Sequence, residues 1–228
     1  MQKYAFTTLF TLDVAAAAVP AWSSGGHYPV DDAELAEPGV LQIETWYTRV
    51  DGSAWELVIL PAITLQSLPL ELTAGYARIK DDDERFHRFE PSAKWQFSAV
   101  DAGQLGAAIS LTAGHEDGRF SDWLLNVPLT YQLEGAPVTL LANAGWLRER
   151  DEGWNDRLFI GGGFEWETGP HATVIGQVYR EGSAVKPEAQ LGLRFAGRAA
   201  VEFIDVAVGR ELGGDIDWFF TFGLTLEL

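Results

Sequence analysis

One group of side chains carries the residue types of a hydrolase. His115, Ser121 and either Asp122 or Asn126 could supply a base, a nucleophile and an orienting group, the trio that serine hydrolases use. Such catalysis requires the serine and the histidine to lie within hydrogen-bond reach. Ser121 follows Arg119 in a charged stretch that is also typical of a solvated loop. We therefore expect that the protein is not an enzyme and has no catalytic residue. A hydrolase that acts on lipid is the alternative.

Metal and phosphate chemistry have little support in the sequence. The histidines His27, His87, His115 and His171 show no His-x-x-x-His spacing, and cysteine is absent. Gly161-Gly162-Gly163 lies within a strand pattern and lacks the Lys-Ser or Lys-Thr that follows a phosphate loop. The run instead indicates close strand packing or a kink. We expect neither a metal nor a cofactor.

Composition excludes several classes of protein. The 228 residues include 33 acidic and 16 basic side chains, so the net charge is −17. A nucleic-acid partner is disfavoured because phosphates would be repelled. No run of 18 apolar residues predicts a membrane-spanning helix. The 24 glycines and 9 tryptophans are typical of a β-barrel and unusual in a helical protein.

Apolar residues alternate with polar ones from Gly39 to the end of the chain. Such alternation predicts strands with one apolar face. A secreted β-sandwich also has alternating strands, but these are near ten residues, longer than usual. The sequence therefore predicts an all-β fold, a transmembrane antiparallel up-and-down β-barrel of about twelve strands over residues 39–228. The predicted strands are 40–50, 54–65, 70–80, 89–100, 104–115, 123–133, 138–148, 158–168, 172–181, 187–196, 199–210 and 217–228.

The connections between these strands alternate between short turns and longer charged loops. Bacterial outer-membrane barrels have short periplasmic turns and longer outer loops. Tryptophans lie where strands begin or end, at the heights of the aromatic girdles: Trp55, Trp123, Trp146, Trp166 and Trp218. We therefore expect a bacterial outer-membrane location, with both chain ends on the periplasmic side.

The chain before the barrel divides into two predicted parts. Residues 1–21 have a basic Lys3, an apolar stretch and Val19-Pro20-Ala21, which is typical of a signal peptide. Residues 22–38 form a periplasmic N-terminal segment. In it, Asp31 and Asp32 could cap a short helix over residues 32–36 or tuck into the barrel mouth as a plug.

The parity opposite to the apolar face predicts a polar, mainly acidic lumen. Such a lumen favours cations and neutral polar solutes over anions. We expect a channel or transporter for an unknown small polar solute; a lipid hydrolase at the rim and a structural barrel without a pore are the alternatives. The residues predicted to line the lumen are Glu44, Glu56, Glu71, Lys94, Gln96, Asn126, Asn143, Glu165 and Arg194.

On five strands that run toward the longer loops, an outward-facing arginine lies just past the apolar band. Arginine forms bidentate bonds with phosphate, and lipopolysaccharide presents phosphates at that height. The sequence predicts a rim that binds outer-membrane lipid and lipopolysaccharide headgroups, formed by Arg49, Arg78, Arg148, Arg180 and Arg210.

Two segments resemble known groups of proteins. Thr221, Gly223, Leu226 and Leu228 fill the fixed places of the C-terminal assembly signal of outer-membrane barrels, which implies the barrel assembly machinery as a partner. The signal commonly ends in an aromatic residue, where this chain has Leu228. Residues 27–33, with Glu37-Pro38-Gly39 and the strand start 41–44, resemble exported barrels associated with a phenol meta-cleavage degradation pathway or assigned as transporters. That resemblance carries over no site residue.

Overall fold

The computed structural model describes residues 27–50, 54–81, 84–150, 153–182, 186–213 and 218–228. The predicted signal peptide and residues 22–26 lie outside this part of the chain. No helix among the described residues is long and apolar enough to cross a membrane.

Twelve strands occupy most of the described chain, as the alternation predicts. They are β1 (Leu41–Val50), β2 (Trp55–Thr64), β3 (Leu70–Asp81), β4 (Glu84–Ser98), β5 (Leu105–Glu116), β6 (Arg119–Gln132), β7 (Val138–Arg150), β8 (Trp154–Gly169), β9 (Ala172–Glu181), β10 (Glu188–Ala196), β11 (Val201–Glu211) and β12 (Trp218–Glu227). Each strand pairs with its sequence neighbours, and β1 pairs antiparallel with β12. The prediction of a closed, antiparallel, up-and-down barrel is confirmed.

Closure brings the two ends of the barrel sequence together. Leu41 N donates to Leu228 O at 3.2 Å, and Leu228 N donates to Leu41 O at 3.0 Å. We name the end of the barrel at Leu41 and Leu228 the turn mouth. The opposite end, where β1, β3, β5, β7, β9 and β11 finish, is the loop mouth.

Alternation along each strand separates an apolar outside from a polar inside. On β12, Phe220 and Phe222 are 60% and 54% exposed, whereas Thr221 and Gly223 are buried. The same outward exposure recurs around the barrel at Leu57, Ile59, Leu72, Leu111, Leu158, Val178 and Leu191. A continuous apolar band around a closed sheet is the surface that a bilayer covers.

Several strands extend further toward the loop mouth than the sequence predicts. β4, β6 and β8 begin at Glu84, Arg119 and Trp154, whereas the predicted starts were residues 89, 123 and 158. The ladders continue beyond the apolar band, where Arg157 pairs with Glu149 at 2.8 Å. Residues in this part of the strands are mostly polar. The alternation of apolar and polar residues that predicts a strand is therefore absent there.

Candidate functional site

Residues 27–38, which we name the lumen segment, run through the inside of the barrel. Side chains of four strands accept hydrogen bonds from its backbone. Those strands lie at separate positions around a closed sheet, so one short segment can contact all of them only from within. The accepting side chains are Glu71 on β3, Thr130 on β6, Asn143 on β7 and Gln177 on β9.

The lumen segment contains no helical residue, so the helix considered over residues 32–36 does not form. Asp32 Oδ1 instead accepts a hydrogen bond from Glu34 N at 2.7 Å, a local turn that competes with helix. Gln177 binds both backbone groups of Val30, at 3.0 Å and 2.9 Å. Gln96 donates to Ala33 O at 2.8 Å. The backbone of the segment is therefore hydrogen-bonded to side chains of the wall, whereas the backbone of a strand would bond to the backbone of its neighbour.

An ion pair joins the lumen segment to β4. Lys94 is 7% exposed, and its Nζ lies 3.1 Å from Asp31 Oδ1 and 3.5 Å from Asp32 Oδ1. Asn143 Nδ2 also donates to Asp31 O at 2.6 Å. Because a buried charge is costly when its partner is removed, this group fixes the position of the segment.

Two apolar contacts complete the docking of the segment. Val30 is fully buried against Leu141, Phe159 and Tyr179, and a Cβ at Gly161 would lie 2.6 Å from its Cγ2. Tyr28 packs with Ile175 and Ala207 in a second buried cluster. A Cβ at Gly192 would clash with the Tyr28 hydroxyl. Inward glycines thus make the room that both side chains occupy.

Cations of the described lumen wall are bound to carboxylates. Arg194 Nε donates to Asp205 Oδ1 at 2.9 Å, and Arg194 Cζ lies 5.6 Å from the Tyr28 ring centroid and 4.9 Å from that of Phe203. Arg88, at the loop mouth, makes a bidentate pair with Asp122 at 2.8 Å and 2.9 Å. Arg88 lies within β4 and one residue before the strand that the sequence predicts over 89–100. The signal that could have found it is the same parity as Glu90, Ser92 and Lys94.

Carboxylates without an ion pair remain on the wall. In the described chain neither Glu44, 9% exposed, nor Glu165, 7% exposed, has a salt bridge, and Glu165 Oε1 lacks a hydrogen-bond partner. Glu56 is half-buried nearer the loop mouth. The inner surface is therefore acidic in excess of its cations.

Burial changes the acid–base behaviour of the lumen segment. It raises the pKa of Glu34 to about 8, with Asp32 adding to the rise and Lys94 opposing it. Burial also raises the pKa of Asp31, and Lys94 beside it opposes that shift. The pKa of His27 falls to about 3, because burial and then Arg194 disfavour its charged form.

The lumen segment leaves space beside it. A cavity of about 340 Å³ lies against β1–β6, lined by Glu44, Trp46, Glu71, Glu90 and Lys94 among others. A second, of about 330 Å³, lies toward the loop mouth and is lined by His27, Trp46, Glu56, Glu188 and Phe219 among others. Trp46, which the sequence interpretation did not single out, borders both. Two cavities, each lined by both polar and apolar side chains, thus adjoin the docked segment.

All nine residues predicted to line the lumen have the inward parity. Glu44, Lys94, Asn126, Asn143, Glu165 and Arg194 are buried, and Glu56, Glu71 and Gln96 are half-buried. Asn126 Nδ2 donates to Asn143 Oδ1 at 2.9 Å. Five of the nine, namely Glu71, Lys94, Gln96, Asn143 and Arg194, contact the lumen segment directly.

The residues of the hydrolase alternative are not brought together. The Ser121 hydroxyl donates to Asp122 at 2.7 Å, while Asp122 also binds Arg88. His115 pairs in register with Phe120 and packs against that ring and Phe89. In the described ranges no hydrogen bond joins Ser121 to His115, and no cluster of His, Asp or Glu side chains is suited to a metal ion.

The five rim arginines lie at the loop mouth with the outward parity. Arg49, Arg78 and Arg180 are exposed. Arg148 lies 3.7 Å from Asp156 and 5.4 Å from the Trp154 ring centroid. Arg210 lies 5.2 Å from the Trp218 centroid.

The residues of the C-terminal signal lie on both faces of β12. Thr221 and Gly223 point inward, and the Thr221 hydroxyl is 2.9 Å from that of Thr48. Leu226 and Leu228 have the outward parity near the turn mouth.

Solved outer-membrane barrels share this fold. The KdgM porin in complex with disordered oligogalacturonate has a TM-score of 0.66 at 8% identity, over 82% of this chain and 99% of that chain. The NanC porin has a TM-score of 0.62 at 10% identity, over 82% and 100%. Omp33 from Acinetobacter baumannii has a TM-score of 0.56 at 10% identity, over 82% and 97%.

The architecture places the protein in the bacterial outer membrane. A closed sheet with an apolar outer band and a polar inside is the form in which proteins span that membrane. No curated protein matches the sequence. The family model described as Uncharacterised conserved protein UCP029691 matches residues 12–228, and the chain therefore belongs to that family.

Proposed function

We propose that the protein is an outer-membrane channel for small cationic or neutral polar solutes, and that the N-terminal segment acts as a plug within it. The observation that carries the proposal is the docked lumen segment, which leaves two cavities beside it, each bordered by glutamate side chains. Such a segment is held by individual contacts and can move without unfolding the sheet. Closed barrels with permanently filled interiors are typical of eight strands, and this one has twelve.

The charge of the lumen supports the choice of solute. Carboxylates in a narrow space create a negative potential that attracts cations and repels anions. The KdgM structure holds oligogalacturonate, an anion. Glu44, Glu56 and Glu165 favour the opposite preference here. The resemblance of residues 27–33, 37–39 and 41–44 to barrels associated with a phenol meta-cleavage pathway fits a transport role and does not identify the solute.

The test is conductance in planar bilayers, with and without residues 22–38. We expect low conductance with the segment and higher conductance without it. In a potassium chloride gradient the reversal potential should show cation preference. Glu44→Gln with Glu56→Gln should reduce that preference, whereas Glu134→Gln, at an exposed turn, should not.

Two outcomes contradict the proposal. Anion preference would exclude the assigned solute class. No conductance in either form would favour the alternative of a structural barrel without a pore.

A further inference from the structure

The outer face of the barrel at the loop mouth carries a group of cations, which we name the basic arc: Arg49, Arg78, Lys80, Arg85 and Arg210. Arg49, Arg78 and Arg85 are exposed, and Lys80 and Arg210 are half-buried. They belong to β1, β3, β4 and β11, and those strands with β2 and β12 are consecutive around the sheet.

The strand register makes the arc continuous. One rung runs from Phe220 through Arg49 to Trp55, and then through Lys80 to Arg85. The rung beneath pairs Leu57 with Arg78 and Arg78 with His87. Arg210 pairs with Trp218 at one end. Paired positions lie within side-chain reach of each other, so the cations form one surface.

The described outward strand positions of this surface carry no acidic side chain, and Asp117, at the tip of the next hairpin, accepts a hydrogen bond from His87 N. The last two outward positions toward the loop mouth on β12, β1, β2 and β3, and Arg85 and His87 on β4, carry cations, His87, aromatic rings or leucine. Glu84, at the hairpin tip, has the inward parity. Since the chain has a net charge of −17, the basic arc is a local departure from its composition.

The basic arc lies at the boundary between lipid and water. Trp55 and Trp218 lie among its cations, and Tyr47 is 6.2 Å from Trp55 between ring centroids. Rings of this kind are typical of the headgroup level. Immediately nearer the turn mouth are Leu57 and Phe222, which are 43% and 54% exposed. A ligand of the arc therefore has acyl chains against the barrel and an anionic headgroup above them.

We propose that the basic arc binds the phosphates of lipid A in the outer leaflet. Arginine binds phosphate in a bidentate, charge-assisted geometry. Neighbouring strands are about 4.8 Å apart, so Arg49 on β1 and Lys80 on β3 are separated by about 10 Å at the backbone. A disaccharide with a phosphate at each end can meet cations on both strands. A phospholipid has one phosphate and can neutralise fewer of these cations than a headgroup with two, which favours lipid A as the occupant.

The test compares lipid binding by two variants with equal charge changes. The first combines Arg49→Gln, Arg78→Gln and Arg85→Gln. The control combines Arg119→Gln, Arg150→Gln and Arg198→Gln, exposed arginines outside the arc. Protein extracted from membranes is freed of lipid in detergent, and binding of bisphosphorylated lipid A is measured by native mass spectrometry. Heat-dependent migration on a gel verifies that each barrel has assembled.

We expect the arc variant to bind lipid A about tenfold more weakly and the control to bind like the unchanged protein. Arg49→Lys, Arg78→Lys and Arg85→Lys together should give an intermediate affinity, because charge remains while bidentate bonding is lost. Equal binding by the arc variant overturns the proposal. So does equal binding of dephosphorylated lipid A or of phosphatidylglycerol by the unchanged protein. Displacement by inorganic phosphate alone would indicate a general anion site and would also overturn it. If the triple variant fails to assemble, Arg78→Gln alone supplies the comparison.

Discussion

Titratable residues of the lumen segment respond to pH in two opposite directions. Glu34, with a pKa of about 8 when docked, takes up a proton on docking between its ordinary pKa of 4.5 and about 8. His27, with a pKa of about 3 when docked, releases a proton on docking between 3 and 6.5. Docking is therefore weakened by rising pH through Glu34 and by falling pH through His27. Asp31, whose pKa is raised to about 6, acts in the same sense as Glu34 but only below about pH 6, so above pH 6.5 the effect of Glu34 remains.

We predict that the lumen segment undocks more readily as pH rises from 6.5 to 8. The undocked fraction should increase by about three- to tenfold. Because the chain contains no cysteine, Ala33→Cys provides a single thiol, buried when docked, whose labelling rate reports undocking. Ser67→Cys, in an exposed turn, corrects for the pH dependence of thiol reactivity.

Glu34→Gln should remove most of this pH dependence, since the amide cannot ionise. A corrected labelling rate that stays constant between pH 6.5 and 8 would contradict the prediction. So would an unchanged pH dependence in the Glu34→Gln variant.

At the scale of elements, two adjacent glycines of the run on β8 differ in what surrounds them. A Cβ at Gly161 would lie 2.6 Å from Val30 Cγ2, whereas at Gly162 the nearest heavy atom is Leu141 O at 3.8 Å. The sequence predicted close packing or a kink for this run. The structure shows that Gly161 accommodates the lumen segment, a contact between residues 131 positions apart that strand periodicity cannot indicate.

We predict that Gly161→Val expels the lumen segment and that Gly162→Val does not. Overpacking of this kind costs about 1–3 kcal/mol, so labelling of Ala33→Cys should accelerate by about tenfold or more. Both substitutions place the same side chain on the same strand and differ only in direction. Equal labelling in the two variants would show that Val30 does not need this space.

We also hypothesise that the barrel assembly machinery recognises the C-terminal pattern of the closing strand β12. Leu228→Asp should then lower the amount of assembled barrel in the outer membrane severalfold. Leu41→Asp is a matched control, because Leu41 exchanges both backbone hydrogen bonds with Leu228 and lies outside the pattern. Heat-dependent gel migration of outer-membrane fractions measures the assembled form. Equal losses in both variants would attribute the effect to the lipid face alone.

At the scale of the whole molecule, alternation within each strand predicted the barrel and the facing of its side chains. Whether Glu44 or Phe220 faces the lumen or the lipid depends only on its place in the alternation along its own strand, which is a local property of the sequence. The path of residues 27–38 depends on side chains from many strands, such as Gln177 and Asn143, and the segment has no periodicity of its own. The early start of β8 at Trp154 was missed because its polar rungs carry no apolar signal.

The lumen segment is the earliest part of the described chain, yet its contacts are made with strands translated much later. The bond from Val30 to Gln177 spans 147 residues, and the bond from Asp31 to Asn143 spans 112. Forming contacts between residues so far apart in the sequence has the entropic cost of closing long loops, so these contacts form late in folding. Val30 has no acceptor until β9 has joined the sheet. The segment that precedes every strand in the sequence therefore docks only after most of the wall around it has formed.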